Sequence, residues 1–415
     1  MMESKLFALI VIVLGIVAIA QLVRIYELSS GLRAEGEHET NSRDNKMNAR
    51  MFLVFMGVLY IGFIWLMLTY GWTGRGEAAS IHGLETDNLL NINFLLIIAV
   101  FFLTNTLLFV FAYKYIRKPG VKAYYFPHDN KLEMIWTVIP AIVLAVIIIL
   151  GLRSWNKITD VSKKDAINIE LFSKQFDWTA RYSGEDNTLG KFDYKLTTDN
   201  NELALMTTNT IDSAINQMEN GISGINALES KLNNRKLIFV PEEREKMVVD
   251  LERKTRLIRI LQQMRGHHNS KIDAFAWDDI IQKDTLFLCA DQEYEMTFRA
   301  KDVLHSAYFP QFRVQMNTVP GLTTRFKFTP NITTKEMRKK VKNDKYNFVL
   351  LCNKICGSAH YKMKMIVVVL GKQEYKTWMN GMKATSTFKQ KYFPVVAEKA
   401  DTMAVEIDTM AVAVK

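Results

Sequence analysis

Four stretches, at residues 6–23, 51–72, 89–116 and 135–152, are apolar and long enough to cross a bilayer as helices. Inside hydrocarbon every backbone amide and carbonyl needs a partner within the chain, so these stretches must be helical, and they fall into two hairpins. Hydrophobic residues make up 49% of the chain and charged residues 23%, a mixture that suggests a membrane part and a water-facing part. The loop after the first stretch carries Arg24, Arg33, Arg43, Lys46 and Arg50, and the loop after the third carries Lys114, Arg117, Lys118, Lys122 and Lys131. Between them the second loop has only Arg75. The excess of positive charge on cytoplasmic loops gives one consistent topology, with the N-terminus and everything after Leu152 on the outer face. The net charge of +10 is thus read as membrane orientation, since no basic patch interleaved with aromatics suggests nucleic acid. A weak basic start and the arginines just after residue 23 fit a retained first helix better than a cleaved signal peptide.

From Trp155 the pattern changes to short β-type runs at 167–182, 285–290, 294–300, 323–328, 347–351 and 362–370, separated by Gly, Pro, Asn and Asp. This spacing predicts a Greek-key sandwich. The expected class is an α+β membrane protein: four transmembrane helices, then an all-β domain with a helical hairpin inserted at about 200–275. Ile211, Ile215, Met218, Ile222, Ile225 and Leu232 lie at helical spacing and predict the first inserted helix. Pro241 with Glu242 and Glu243 starts the second, whose apolar stripe runs through Met247, Leu251, Ile258 and Leu261 toward Met264. The tail, 385–415, ends in a near-repeat with no evident packing partner and is expected to be disordered.

One segment carries chemistry. Cys352, Cys356, His360 and Met363 form a C-x3-C-x3-H-x2-M pattern between two β-type runs. Thiolate and thioether ligands select copper, zinc or iron–sulfur clusters, and an imidazole with a methionine favours copper. A single-copper site of the blue type needs one cysteine in such a loop, whereas here there are two. Two thiolates can bridge two copper ions, with His360 and the more distant His305 each ending one of them. Met363 and a loop carbonyl, that of Lys354, would then be weak further donors. Taken singly, the cysteines could be buried apolar residues or a disulfide, and His360 a surface residue. Four such donors within twelve residues weigh against that. Zinc also accepts a two-cysteine, two-histidine set, but Met363 counts against it. Cys289, the third cysteine, lies on a β-type run and is expected to be a buried apolar residue. There is no C-x-x-C-H, hence no covalently attached haem.

With these residues the sequence resembles subunit 2 of cytochrome c oxidase. The likeness extends to Asp302-Val-Leu-His305-Ser, to the run from Val314 to Gly321, to the helix start from Lys131 to Pro140, and to Gln175-Phe-Asp-Trp178. It covers roughly 88–195 and 285–384; the first hairpin (1–87) and the insert lie outside it, 88–155 matches the family's transmembrane hairpin, and 156–384 its cupredoxin-like domain. The resemblance implies a dinuclear copper centre, CuA, held by His305, Cys352, Cys356, His360, Met363 and the backbone carbonyl of Lys354. It implies a bacterial-type inner membrane with the copper domain on the periplasmic side. Electrons from a cytochrome c, soluble or tethered, would pass to the haems of a catalytic subunit 1. Oxygen reduction and proton translocation would occur there, within a complex of further oxidase subunits and, in some cases, a respiratory supercomplex. The seven histidines of this chain include no cluster on the apolar helices for haem and another copper, so the enzymatic activity belongs to the complex. Glu133 resembles the glutamate at the mouth of a proton pathway; an acid at a helix start is also favourable by itself.

The sequence departs from the family at three places. Lys354 stands where the family usually has glutamate, which removes a side chain that helps hold an interface magnesium. Phe176 stands where the family has the tryptophan that accepts electrons, with Trp178 two residues on, so both are candidates for electron entry. The insert reshapes the surface of the domain. Two rivals remain: a copper-free quinol oxidase subunit 2, disfavoured by the intact donor set, and a copper-carrying assembly protein, disfavoured by the helix start at 131–140.

Overall fold

The structure is a computed structural model describing residues 2–31, 42–71, 75–118, 120–162, 164–198 and 200–393. Arg33, Trp72 and the tail from 394, including its near-repeat, lie outside the described residues. The chain divides into two compact units, one of Met1–Gly74 with Phe94–Trp136 and the other of Arg75–Asn93 with Thr137–Lys415.

Among the described residues four helices are long and apolar enough to cross a membrane: α1 (Met2–Gly31), α2 (Ser42–Leu66, closing in a π-helical turn at Met67–Gly71), α3 (Ile81–Lys114) and α4 (Asn130–Thr159). Almost none of the residues in their apolar spans are buried within the chain, which is the condition of helices meant for hydrocarbon. In the first unit α2 and α3 meet along an aromatic seam. Phe63 stacks on Phe101 at 5.0 Å, Phe55 meets Phe109 edge-on at 5.6 Å, and the Tyr60 hydroxyl donates to the Phe102 carbonyl at 3.0 Å. That last bond uses a polar group that lipid could not satisfy. Pro140 lies inside α4 without ending it.

The second unit is a sandwich of two five-stranded sheets, the cupredoxin-like arrangement expected. Its strands are β1 (Ile167–Lys174), β2 (Asp177–Tyr182), β3 (Ile280–Lys283), β4 (Thr285–Cys289), β5 (Tyr294–Ala300), β6 (His305–Phe309), β7 (Val314–Thr318), β8 (Thr324–Phe328), β9 (Phe348–Cys352) and β10 (Lys364–Leu370). The sheets run in the orders β3-β2-β1-β5-β8 and β4-β10-β9-β6-β7. β1 is parallel to β5 and β10 to β4, and the other pairs are antiparallel. Ile169, Leu171, Trp178, Met296 and Phe298 of one sheet meet Leu288, Phe309, Phe348, Leu350 and Val367 of the other in a continuous apolar core. The run 167–182 is therefore two strands. Its turn at Gln175 and Phe176 has no Gly or Pro to mark it. β3, β6 and β7 carry no clear sequence signal.

The insert holds α5 (Thr208–Asn220), α6 (Ile225–Asn233) and α7 (Pro241–His267), followed by the short α8 (Ala274–Trp277). The single first helix expected from periodicity is broken in two. The Gly221 and Gly224 backbones turn so tightly that an added Cβ would lie 2.3 Å from the Gln217 carbonyl and 2.6 Å from that of Glu219. Ile222 falls in the break and is exposed, while Ile211, Ala214 and Leu261 make a small core between α5 and α7. After α9 (Thr334–Val341) and α10 (Lys372–Thr385) the chain continues into α11 (Phe388–Tyr392). Phe388 is buried against Phe172, Leu205 and Ile281, so the sandwich unit extends beyond residue 384.

β1 is covered on both faces, and its outward side carries a charge cluster. Glu170, Arg181, Asp279 and Arg299 are all buried. Arg181 donates to Glu170 at 2.6 Å, to Asp279 at 2.7 Å and to the Gly190 carbonyl at 2.9 Å. Arg299 also pairs with Glu170, donates to the Leu203 carbonyl at 3.0 Å, and lies 3.6 Å over the Phe192 ring. Because Gly190, Phe192 and Leu203 belong to the segment entering the insert, these bonds fasten it to the sheet. The residue before α3 and the first turns of α3 are fastened too: the Ser80 hydroxyl donates to the Phe312 carbonyl at 2.7 Å, and Arg313 pairs with Asp87 at 2.9 Å.

Candidate metal centre

β9 ends at Cys352, and β10 begins at Lys364, paired with Leu351. The chain between them must close a hairpin, and it does so through a loop ending in a 3-10 turn at His360–Lys362. That loop holds Cys356, His360 and Met363. His305 opens β6, the neighbour of β9, and in this way sheet pairing brings a residue 47 positions distant in sequence to the loop.

The six expected donors converge. The Cys352 and Cys356 sulfurs are 4.0 Å apart and unbonded. His305 Nδ1 is 3.9 Å from Cys352 Sγ, and His360 Nδ1 is 3.5 Å from Cys356 Sγ. Met363 Sδ is 3.8 Å from Cys356 Sγ, and the Lys354 carbonyl is 3.2 Å from Cys352 Sγ. His305, Met363 and Cys356 are buried, whereas the Lys354 side chain points to solvent. Burial, with the neighbouring Cys352, pushes the Cys356 thiol up to about 11. Metal uptake at neutral pH must then displace protons from the site.

Three residues not anticipated as part of the site support it. Asp302, three residues before His305, accepts from its Nε2 at 3.0 Å and so turns Nδ1 toward the sulfurs. Burial raises the Asp302 carboxyl, but the Gln175 amide, the His305 ring and the Val303 amide outweigh this and hold it below its ordinary value. The Asp-x-x-His spacing was the available signal. Gln175 donates from Nε2 to the Cys356 carbonyl and has no comparable signal. Gly357 adopts φ +140°, and a Cβ there would lie 2.9 Å from the Phe176 ring. Phe176 thus packs directly over the residue after Cys356, half-buried. Trp178 is fully buried and meets the His305 ring edge-on at 6.3 Å. Cys289 is a buried free cysteine in the core, as expected. Glu133 lies in the first turn of α4, in the other unit.

The donor set suits a pair of soft ions. Two sulfurs shared between two ions, with one imidazole and one weak donor for each, would use all six groups. A tetrahedral zinc would leave Met363 and the Lys354 carbonyl unused. Replacing Asp302 with alanine frees the His305 ring, and copper affinity is expected to fall by about 10–100-fold, read by competition with a chelator.

Residues 74–154 match the family described as cytochrome c oxidase subunit II, transmembrane domain. The chain is 24% identical over 300 residues to an alternative cytochrome c oxidase subunit 2 of Bradyrhizobium diazoefficiens, covering 72% of this chain and 80% of the relative. This is a relative of cytochrome c oxidase subunit 2. The subunit II-like chain is also 29% identical over 119 residues to the cytochrome c oxidase subunit 2 of Thermostichus vulcanus, covering 27% of this chain and 32% of the relative. Among solved structures it is similar to the periplasmic domain of subunit II of cytochrome oxidase of Bradyrhizobium japonicum, with 14% identity and a TM-score of 0.27 over 55% of this chain and 100% of that one. Helices α1 and α2 lie outside the matched transmembrane region.

Proposed function

We propose that this chain is the electron-relay subunit of a haem-copper oxidase, holding a dinuclear copper centre on the outer face of a bacterial membrane. The convergence of two cysteines, two histidines, Met363 and the Lys354 carbonyl supports this reading most strongly. A thiolate-bridged copper pair, when bound, accepts one electron and shares it between its ions. The chain's part is to keep the donors fixed so that little moves on reduction. Asp302 holds the His305 ring, Gln175 holds the loop through the Cys356 carbonyl, and the sheet pairing of β6 with β9 fixes their spacing.

Electrons enter from a cytochrome c, separate or tethered, and leave to the haems of a catalytic subunit, where oxygen is reduced with proton translocation. Phe176 is the proposed point of entry, since it is partly exposed and touches Gly357, whereas Trp178 has no surface for a donor to meet. Glu133 is proposed at the cytoplasmic mouth of a proton path into the catalytic subunit. The first hairpin and the insert serve contacts with neighbouring subunits. No carboxylate stands at Lys354 to help hold a magnesium.

The relay is tested by mixing the copper-loaded full-length chain with reduced cytochrome c and following cytochrome oxidation by stopped flow. Rapid transfer, slowed in Phe176→Leu by about tenfold, is the expected result, that factor corresponding to about 1.4 kcal/mol in the barrier. A chain that binds copper but takes no electrons would instead fit a copper carrier.

A further inference from the structure

The loops that bring the donors together also form a surface of their own. Ile355 and Tyr361, two large side chains of the donor loop, are 87% and 76% exposed there. Around them Lys354, Lys362 and Lys364 are exposed, and residues 350–369 contain no carboxylate. Lys301 is exposed on the adjoining loop before His305. The acids nearby do not balance this charge. Glu202 offsets Lys301, along with Lys174 and Lys283, and Asp302, which keeps its charge while accepting from the His305 ring and the Gln175 amide, is one carboxylate against Lys354, Lys362 and Lys364.

We propose that this tip docks an acidic electron-donor protein, one whose carboxylates ring its own redox group. The inference rests on the relay reading and names the partner of that same site. The exposed apolar pair gives the contact a centre that can be dried, and the lysine rim attracts an acidic partner and repels a basic one. Attraction of this kind acts over about a Debye length, roughly 8–10 Å, and fades with salt. A basic donor would meet the rim at a disadvantage in encounter rate.

The test uses the copper-loaded full-length chain in neutral detergent, with native lysine-rich cytochrome c and the same cytochrome succinylated on its lysines as probes. Binding of each is measured at low and high salt, for the native chain and for a Lys362→Glu/Lys364→Glu variant. The succinylated form is expected to bind at least about tenfold more tightly at low salt, to lose that advantage as salt is added, and to lose it in the variant. Equal or tighter binding of the native cytochrome, or a preference unaltered by the charge reversal, overturns the proposal. Reduction of the bound copper by ascorbate with a small mediator is followed on the same samples. If the copper cannot be reduced, the relay reading fails, whichever cytochrome binds.

Discussion

Replacing Cys356 with serine is expected to lower bound copper from two ions per chain to one at most, and to abolish electron uptake from cytochrome c. A serine hydroxyl stays protonated at neutral pH and is a poor donor for a soft ion, so it cannot take the place of a bridging sulfur. The change is nearly isosteric, but Cys356 is a buried member of the core that Phe309, Phe348 and Val367 build, so the serine hydroxyl enters apolar surroundings. Stability of the copper-free sandwich is therefore expected to fall by about 1–3 kcal/mol, the cost of burying a hydroxyl among apolar side chains. Elemental analysis of the purified variant, beside a thermal melt of the copper-free form, separates loss of metal from loss of fold. A variant that kept two coppers and normal electron uptake would show that Cys356 is not a bridging ligand.

A larger effect on stability is expected at Glu170. Truncation to alanine leaves Arg181 and Arg299 buried with no Glu170 carboxylate between them, at a cost of about 3–5 kcal/mol. For a unit of this size that corresponds to a fall of about 10 °C in melting temperature, measurable by tryptophan fluorescence. The same group sets an acid limit. Burial opposes its charge, but Arg181 and Arg299 outweigh that and hold Glu170 at about 2, against an ordinary 4.5. A carboxyl lowered on folding stabilises the fold above its unfolded value. This contribution is expected to be complete above about pH 4.5 and to disappear as the pH falls toward 2. Asp279 moves the other way: burial outweighs Arg181 and raises it to about 7, so it takes up a proton first and leaves Glu170 to hold the cluster. In Glu170→Ala the acid-dependent loss between pH 4.5 and 2 is expected to shrink. An unchanged acid profile would show that the ion pairs are not what fails in acid.

Much of the site was legible because its donors are local. Cys352, Cys356, His360 and Met363 follow one another within a single hairpin loop, where spacing alone brings them together. His305 required strand pairing to reach them: residue type alone made it a candidate in the sequence, since β6 has no alternating pattern of its own. Asp302 and Gln175 support the donors through hydrogen bonds, which residue type does not reveal. In the fold, long apolar helices and alternating strands such as β5 and β8 were readable because burial imposes a period. The turn at Gln175 and Phe176 was hidden because it uses neither Gly nor Pro. Continuous helical spacing from Ile211 to Leu232 concealed the break that Gly221 and Gly224 impose. The charge cluster ran against the pattern altogether, because Glu170, Arg181 and Arg299 look like solvent-facing strand residues until the insert covers them.

The central claim is that two coppers share one site in this chain. The most direct measurement combines copper analysis with the EPR spectrum of the full-length chain, loaded with copper and purified in detergent. Two coppers per chain with a single unpaired electron delocalised over both is the predicted result. One copper with the spectrum of an isolated type 1 ion, or no bound copper at all, would contradict it.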